Sequence, residues 1–337
     1  MIRRFFLYFV LFFSFNFSFA QDGPSPRSSG HLFYFKPTQS LILIDGYSKG
    51  TTPPKMDIWS WKNNKWSQTG ATDQPLRSLS AAAYMSDKEQ LFLFGGISSK
   101  GYEDSLKDSY VYDGRQWISI ADNSIGTRDH HEMVYDEQNK CIIVYGGQNA
   151  KREFDTKTWI FKNDHWTSLN IPSPGTRYHH AMAYDVERKK TVLFGGYDGK
   201  SGSDDTWEFD GEHWEKMNSA TGPSGRGHHS MVYDPSRKKI LMYGGDDDSG
   251  AKGDVWAWDG KNWEQLSGNG PARVLPQIAF NPENNKLYVF GGSGGDHGTI
   301  IYSDLWTWDG KTWTRINKGK TYKWDMQKDM FVISNEE

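Results

Sequence analysis

Three pairs of adjacent histidines carry the side chains in this sequence that are best suited to chemistry. The pairs are His130-His131, His179-His180 and His228-His229, and the first member of each lies two residues after an arginine. Imidazole is a common metal ligand and carries protons near neutral pH. Adjacent residues of a strand point to opposite faces, however, so one pair cannot chelate a single ion. We therefore expect the histidines to pack within the fold, and we assign no metal ligand and no cofactor.

Two further features have groups that bind ions or react. Asp246-Asp-Asp248 suits a hard cation, but the calcium-loop pattern needs a glutamate eleven residues after its first aspartate, where this chain has Ala257. A weak surface cation site there stays open. Cys141 is the only cysteine, so no intramolecular disulfide can form. Nothing near it in the sequence lowers a thiol pKa, and we expect no role for it beyond its place in a strand.

The histidines belong to a unit of roughly 50 residues that occurs six times. In every copy an arginine precedes a glycine doublet by the same interval, as Arg226 precedes Gly244-Gly245. The doublet is followed by an aromatic residue and then, at a second constant interval, by a tryptophan, as in Trp256 and Trp263. Only the interval from doublet to aromatic residue and the interval from tryptophan to the next arginine vary. The arginines are Arg27, Arg77, Arg128, Arg177, Arg226 and Arg273, and the first doublet is a degenerate Asp45-Gly46.

Each rigid half of the unit is predicted to be a β-hairpin. In the fifth copy HHSMVYD and KKILMYGG are short β-rich runs on either side of a polar turn. In the second half Trp256 and Trp258 alternate with small residues, and Asp259-Gly260 supplies a tight turn. Two hairpins make a four-stranded antiparallel sheet. Six such sheets arranged radially make a β-propeller, which leaves only short, protected edges.

A hydrophobic run, a Gly-Gly doublet, and then an aromatic residue and a tryptophan seven residues apart resemble the kelch repeat. The resemblance covers about residues 27–318 and implies an all-β fold, a six-bladed β-propeller of four-stranded antiparallel kelch blades. The shape is similar to the central domain of galactose oxidase. That enzyme's copper radical chemistry needs a cysteine crosslinked to a tyrosine, and the only cysteine here lies inside a blade hairpin, so we reject that activity. Kelch propellers serve unrelated roles, and the resemblance alone assigns none.

Five of the repeating arginines are candidates for the channel mouth: Arg77, Arg128, Arg177, Arg226 and Arg273. An aspartate recurs two residues before the first aromatic residue, and the third copy has Asp155 nearby instead. Both residues begin strands that run the same way, so we predict Arg–Asp pairs, because a buried arginine without a partner is costly. The alternative is a ring of arginines that binds an anion. We also expect each closing tryptophan to lie between neighbouring blades.

The variable loops, between strands 2 and 3 and between strand 4 and the next strand 1, lie on one face of the propeller. Recognition residues concentrate on variable loops of a rigid scaffold, so we place ligand contact on this face. Mixed aromatic and acidic side chains suit sugar stacking or a basic protein partner. The candidates are Tyr47, Tyr102, Glu103, Tyr197, Asp246, Asp248, Asp296, His297 and Tyr302.

The N-terminal segment 1–20 has the pattern of a secretory signal. Arg3 and Arg4 precede the apolar run Phe5 to Phe13, and Ser18-Phe-Ala20 places small residues before Gln21. We therefore expect a periplasmic or secreted protein with no membrane insertion after cleavage. The net charge of −3 favours no nucleic acid partner. The predicted organisation is a signal peptide at 1–20, the propeller at 21–320 and a tail at 321–337 whose Met330-Phe-Val-Ile333 adds a strand at the seam.

From the sequence we expect an exported, monomeric binding module for a glycan or an envelope protein, with no catalytic residue assigned. The alternative is a carbohydrate-active enzyme, since some exported kelch propellers resembling this one are sialic acid mutarotases. A carboxylate and an arginine converging in a water-filled pocket would favour the enzyme. A flat, closed, acidic loop face would favour protein binding.

Overall fold

The structure is a computed structural model, and it describes residues 23–46, 55–98, 104–199, 201–295, 298–328 and 330–334. Within these ranges six antiparallel sheets, each built on a path of four strands, follow one another along the chain, and two further sheets are formed by loop and tail residues. We number them blades 1 to 6 and count the strands of each blade outward from the centre. The predicted all-β class and the β-propeller of four-stranded blades are confirmed. The predicted signal peptide at 1–20 lies outside the described residues.

The four strands of each blade are consecutive, apart from short extra strands in some loops. Blade 1 is His31–Phe35, Ser40–Ile44, Lys55–Lys62 and Lys65–Pro75; blade 2 is Ala81–Met85, Gln90–Phe94, Ser109–Tyr112 and Trp117–Ile120; blade 3 is Glu132–Asp136, Cys141–Tyr145, Thr158–Lys162 and His165–Leu169; blade 4 is Ala181–Asp185, Lys190–Phe194, Thr206–Phe209 and Trp214–Met217; blade 5 is Gly227–Asp234, Lys239–Asp247, Val255–Trp258 and Trp263–Ser267; blade 6 is Gln277–Asn281, Lys286–Phe290, Leu305–Trp308 and Trp313–Asn317.

The turn residues explain why each half-unit closes as a hairpin. Between strands 3 and 4 of blade 4, the Asp210 carboxylate accepts hydrogen bonds from the backbone N–H groups of Glu212 (2.9 Å) and His213 (2.7 Å). Gly211, between them, has φ of 101°, which only glycine adopts easily. Between strands 1 and 2 of the same blade, the Asp185 carboxylate accepts from the N–H of Arg188 at 2.9 Å. These local turns set the register of the strands that they join.

The constant spacing between arginine and doublet corresponds to a hydrogen bond. In blade 4 the Arg177 guanidinium donates to the carbonyl of Gly195 at 2.9 Å, and the corresponding bond to the residue 18 positions on exists in every blade. The same guanidinium pairs with Asp205 at 2.7 Å. Each of the six arginines is buried and ion-paired in this way, so the predicted Arg–Asp pairing is present throughout. In blade 3 the partner is Asp155.

Neighbouring blades are joined through the glycine doublets. Gly196 donates its N–H to the carbonyl of Arg226 in the next blade at 2.8 Å, and equivalent bonds recur around the ring. The bond from Gly292 to Arg27, 3.0 Å long, joins blade 6 to blade 1 and closes the circle. A Cβ on Gly195 would approach the carbonyl oxygen of Arg226 to 2.6 Å. The doublets are glycine because two backbones meet there.

Aromatic side chains fill the space between blades. Trp214 of blade 4 lies 5.3 Å, between ring centroids, from Tyr145 of blade 3, and Trp66 of blade 1 lies 5.3 Å from Phe290 of blade 6. Six buried clusters each draw residues from two adjacent blades. The closing tryptophans therefore lie between blades as predicted. Cys141, at the start of a strand, is buried in one of these clusters, and burial raises the pKa of its thiol to about 11.

The tail forms a small sheet beside blade 6. Thr321–Asp325 pairs with Met330–Ile333 and with Ile300–Tyr302, which lies in the loop between strands 2 and 3 of that blade. Among the described residues the tail adds no strand to a blade sheet, and the first strands of blades 1 and 6 pack directly against each other. No helix within the described ranges is long and apolar enough to cross a membrane.

Candidate functional site

A central channel runs between the first strands of the six blades and encloses a cavity of about 370 Å³. At its loop-face end one residue from each blade adopts a left-handed backbone conformation, with φ from 51° to 58°. The six are Ser29, Leu79, His130, His179, His228 and Leu275, each two positions after the repeating arginine. Histidine tolerates this conformation better than a bulky apolar residue does.

Backbone hydrogen bonds tie these residues into a rim. His130 donates its N–H to the carbonyl of Leu79 at 3.0 Å, and His228 donates to that of His179 at 2.9 Å. Leu275 donates to the carbonyl of His228 at 2.8 Å, and Ser29 donates to that of Leu275 at 3.4 Å. Backbone hydrogen bonds therefore join neighbouring rim residues, and the blades differ at the rim in their side chains.

Three imidazoles stand side by side on this rim. The ring centroids of His130 and His179 lie 4.4 Å apart, and those of His179 and His228 lie 3.8 Å apart. The outer two are anchored by carboxylates: His130 Nδ1 bonds Asp129, and His228 Nδ1 lies 2.7 Å from Asp246 Oδ1. Burial and the neighbouring imidazoles hold the pKa of His179 well below its ordinary value. The central ring is therefore neutral at physiological pH.

Aromatic rings flank the histidines. Phe154, 41% exposed, stacks on Tyr178 with 5.5 Å between ring centroids and 20° between planes. Tyr197 lies 5.8 Å from Tyr178, and its hydroxyl donates to Asp246 Oδ1 at 3.3 Å. Burial and Asp246 raise the pKa of Tyr197 to about 12, so the hydroxyl keeps its proton. We call the following residues the mouth cluster: Asp129, His130, Gln148, Phe154, Tyr178, His179, Tyr197, His228 and Asp246.

The carboxylates of the mouth cluster are held in place by several donors. Asp129 is fully buried and accepts hydrogen bonds from Ser105 and from Gln148 Nε2, the latter at 3.1 Å. Burial opposes its ionisation, but the hydrogen bonds from His130 and Ser105 hold its pKa below the ordinary value. A fixed, charged Asp129 orients His130 without itself being exposed to a ligand.

The second member of each histidine pair has a different environment. His131, His180 and His229 are buried between blades, where His131 packs 4.9 Å from Phe94 between ring centroids. A Cβ on Gly146 would come within 2.6 Å of His180 Cε1, so these imidazoles also fill the space that the glycine doublets leave. The packing predicted for the histidines is therefore found for His131, His180 and His229, whereas the first members of the pairs, His130, His179 and His228, line the channel mouth. In the described part of the chain, no group of three histidine, cysteine or acidic side chains is arranged to hold a metal ion.

The predicted ligand-face residues lie in different surroundings. Tyr197 and Asp246 belong to the mouth cluster. Asp248 is exposed in the turn of the loop hairpin of blade 5, and Tyr302 packs under Arg273, whose Cζ lies 3.6 Å from the ring centroid. The remaining candidates lie outside the described residues: Tyr47, Tyr102, Glu103, Asp296 and His297.

The predicted channel-mouth arginines do not line the cavity. Arg77, Arg128, Arg177, Arg226 and Arg273 all point their guanidinium groups at the aspartates of their own blades. Sequence reasoning also missed Phe154, Tyr178, Gln148 and Asp129. For Asp129 and Tyr178 the signal is a departure from the repeat, because the residue after the arginine is serine, serine, aspartate, tyrosine, glycine and valine in the six copies. Gln148 and Phe154 lie in the variable loop that follows the third doublet.

Comparisons with known proteins agree with the kelch-type repeat found in the sequence. A family model described as the KLHDC2/KLHL20/DRC7 Kelch-repeats domain matches residues 118–271. A solved structure titled "Structure of YjhT" superposes with a TM-score of 0.66 at 17% identity, covering 87% of this chain and 98% of that one. No curated protein matches the sequence. The match over residues 118–271, the six blade sheets and the repeated Arg–Gly spacing agree with a β-propeller fold of the kelch type.

Proposed function

We propose that this protein is an exported binding module that holds a glycan at the loop-face mouth of its central channel. The observation that carries the proposal is the mouth cluster itself, with partly exposed aromatic rings beside polar groups held in fixed positions. The exported location rests on residues 1–20 alone. It predicts that the N-terminal sequence of the mature protein begins at Gln21, and retention of Met1 would contradict it.

The chemistry of the mouth suits a sugar. One face of a pyranose presents C–H groups that pack on an aromatic ring, and its hydroxyls need donors and acceptors in defined directions. Phe154 and Tyr178 supply the ring surface. The Asp246–His228 and Asp129–His130 pairs supply polar groups whose orientation is already set, which limits the entropy lost on binding.

The shape of the site separates the candidate functions. A flat, closed face would favour a protein partner, but a cavity of about 370 Å³, within the range of small-ligand pockets, lies directly behind the described rim. A carboxylate and an arginine converging in the cavity would favour an enzyme. All six repeating arginines are instead buried in ion pairs. Binding of a small glycan unit is therefore the function that the geometry supports best.

One observation favours the enzymatic alternative. His228 has its Nδ1 held by Asp246, and an imidazole oriented by a carboxylate can act as a general acid or base. A sugar epimerase or mutarotase is the corresponding second candidate. Anomer interconversion of a bound sugar, followed by NMR in the presence of protein, distinguishes it: a rate above the uncatalysed one that His228→Ala abolishes would support the enzyme.

The test is a calorimetric titration of the mature chain with a panel of neutral and acidic mono- and oligosaccharides. We expect saturable binding of at least one saccharide, weakened tenfold or more by Phe154→Ala, since a stacked ring contributes about 1–3 kcal/mol through buried area and contact. Ile118→Ala is the matched control, because Ile118 is 45% exposed on an outer strand of blade 2. Absence of binding across the panel, or equal affinity of Phe154→Ala and wild type, would contradict the proposal.

A further inference from the structure

Glu132 is a carboxyl group inside the channel that the mouth cluster does not use. It begins the first strand of blade 3 (Glu132–Asp136), two residues after His130, and its side chain lines the cavity wall. The equivalent positions in the other blades are His31, Ala81, Ala181, Ser230 and Gln277. One acid therefore faces a ring of uncharged groups at this depth, since burial lowers the pKa of His31 to about 4 and leaves it neutral.

The cavity offers Glu132 no counter-charge. Among the described residues that line the cavity there is no lysine or arginine, and Glu132 forms no ion pair within the described chain. The other carboxyl in the wall, Glu137, lies at the opposite end, in the turn after the same strand. Burial raises the pKa of Glu132 to about 8. At neutral pH its carboxyl is therefore protonated, with one O–H donor and an acceptor oxygen.

The polar side chains at the equivalent positions are uncharged, and two of them already donate hydrogen bonds to backbone carbonyls. Gln277 Nε2 donates to the carbonyl of Leu275 at 2.9 Å, and Ser230 Oγ donates to that of Pro276 at 2.7 Å. His31 Nε2 lies 3.1 Å from Ser80 Oγ. The end of the cavity directly below the mouth cluster is thus a polar chamber without a cationic side chain, in which the Glu132 carboxylic acid is the strongest hydrogen-bond donor.

We propose that this chamber is a subsite for an uncharged, hydroxyl-rich unit, such as a neutral hexose or pentose, with the Glu132 carboxylic acid as its hydrogen-bonding anchor. This inference rests on the proposed glycan binding and adds the charge class of the ligand. An acidic sugar would bury its carboxylate without a cation to pair with, which is costly in a protein interior. The site therefore discriminates against sialic and uronic acids.

The pH dependence of binding follows from Glu132. The titratable groups on its own strand, on the strands packed against it or in the same cavity are Tyr84, Tyr135, Asp136, Glu137, Cys141, Tyr145, Tyr184, Asp185, Lys190, Tyr233, His31, His130, His131, His179, His180, His228 and His229. None of them shifts the pKa of Glu132, which is raised by burial and lowered only by a hydrogen bond from the Met133 N–H. Affinity should be flat below pH 8 and should fall about tenfold per pH unit above it, because only the protonated acid donates.

A measurement without ligand checks the state of Glu132 independently. Its pKa is raised in the folded protein, whereas an unfolded glutamate titrates near about 4.3. Between about pH 4.3 and about pH 8, Glu132 is protonated in the folded protein and ionised in the unfolded one. The free energy of unfolding therefore decreases as the pH rises through this range. The Tm of wild type should fall relative to that of Glu132→Gln from about pH 4.5 to about pH 8. Parallel Tm curves for the two proteins would overturn the assignment of a neutral acid.

The binding experiment compares neutral and acidic monosaccharides by calorimetry between pH 6 and pH 9.5. We expect neutral sugars to bind at least tenfold more tightly than acidic ones. Glu132→Gln, which keeps a donor, should bind within about threefold of wild type at pH 7 and lose the fall above pH 8. Glu132→Leu should bind at least tenfold more weakly. Glu212→Gln, on an exposed turn of blade 4 outside the cavity, is the control and should keep the wild-type profile.

Different failures have different meanings. If acidic sugars bind best and Phe154→Ala weakens them, the mouth proposal stands and the neutral subsite is refuted. If an amine binds with proton release, Glu132 pairs with a cation and the proposed ligand class is wrong. If no saccharide binds wild type at any pH, both proposals fall. An unchanged fall above pH 8 in Glu132→Gln would assign the titration to another group and overturn the role of Glu132.

Discussion

A single arginine in each blade holds together three parts of the fold. Arg177 donates to the carbonyl of Gly195, to that of Pro174 and to both oxygens of Asp205. Asp205 in turn accepts from the indole N–H of Trp207 at 2.8 Å. Burial opposes ionisation of Asp205, but the hydrogen bonds from Arg177 and Ser203 hold its pKa at about 2. The recurring aspartate predicted this pair, whereas the constant spacing between arginine and doublet was explained only by the bond to the glycine carbonyl.

Replacing this arginine tests its structural role. Arg177→Met should lower the free energy of unfolding by about 3–5 kcal/mol, because it leaves a largely buried Asp205 carboxylate without its main partner. Arg115→Met, on an exposed turn, should change it by less than about 0.5 kcal/mol. Urea unfolding monitored by tryptophan fluorescence measures both. An Arg177→Met protein as stable as Arg115→Met would mean that the repeated ion pair does not support the blade.

At the scale of elements, the degenerate doublet of blade 1 has a local compensation. Asp45 adopts φ of 63° where other blades have glycine. The doublets of blades 2 to 4 adjoin a histidine of the following blade, but Asp45 adjoins Ser80 of blade 2, which leaves room for a side chain. Ser80 Oγ donates to Asp45 Oδ2 at 2.5 Å, and the Arg77 N–H donates to Oδ1 at 3.2 Å. The replacement of glycine by Asp45 in blade 1 is therefore matched by a serine, Ser80, in blade 2.

This compensation predicts energetic coupling between Asp45 and Ser80. Ser80→Ala should cost about 1–3 kcal/mol, because it removes a donor from a fully buried carboxyl. The double variant Asp45→Gly/Ser80→Ala should cost at least about 1 kcal/mol less than the sum of the single changes, since the buried acid is then gone. A double-mutant cycle by chemical denaturation measures the difference. Effects that add within about 0.5 kcal/mol, as they do for independent sites, would show that the two residues are not coupled.

The elements also explain which parts of the site the sequence could predict. The strands and turns follow from local patterns, so the blades, their order and the inter-blade tryptophans were predictable. Tyr197 and Asp246 were identified because they lie on variable loops. The first histidines were assigned to packing because the repeat itself accounts for their spacing, and Tyr178 was not singled out because it lies outside the variable loops.

At the scale of the whole molecule, closure of the ring creates the site. His130, His179 and His228 lie one repeat apart along the chain, and they become neighbours only because three consecutive blades place equivalent positions on one rim. The ring closes through the Gly292–Arg27 hydrogen bond and the packing of Trp66 on Phe290. Sequence periodicity predicts the closed ring but not the asymmetry of its mouth, which has imidazoles on blades 3 to 5 and serine or leucine on the others.

The most direct measurement is a crystal structure of the mature chain soaked with the tightest-binding neutral sugar. We expect a sugar ring packed on Phe154 and Tyr178, with a hydroxyl within hydrogen-bonding distance of the Glu132 carboxyl. A sugar bound on the opposite face of the propeller, or on the outer surface of a blade with the mouth empty, would contradict the account. In that case the mouth cluster would be a structural feature of the rim and not a binding site.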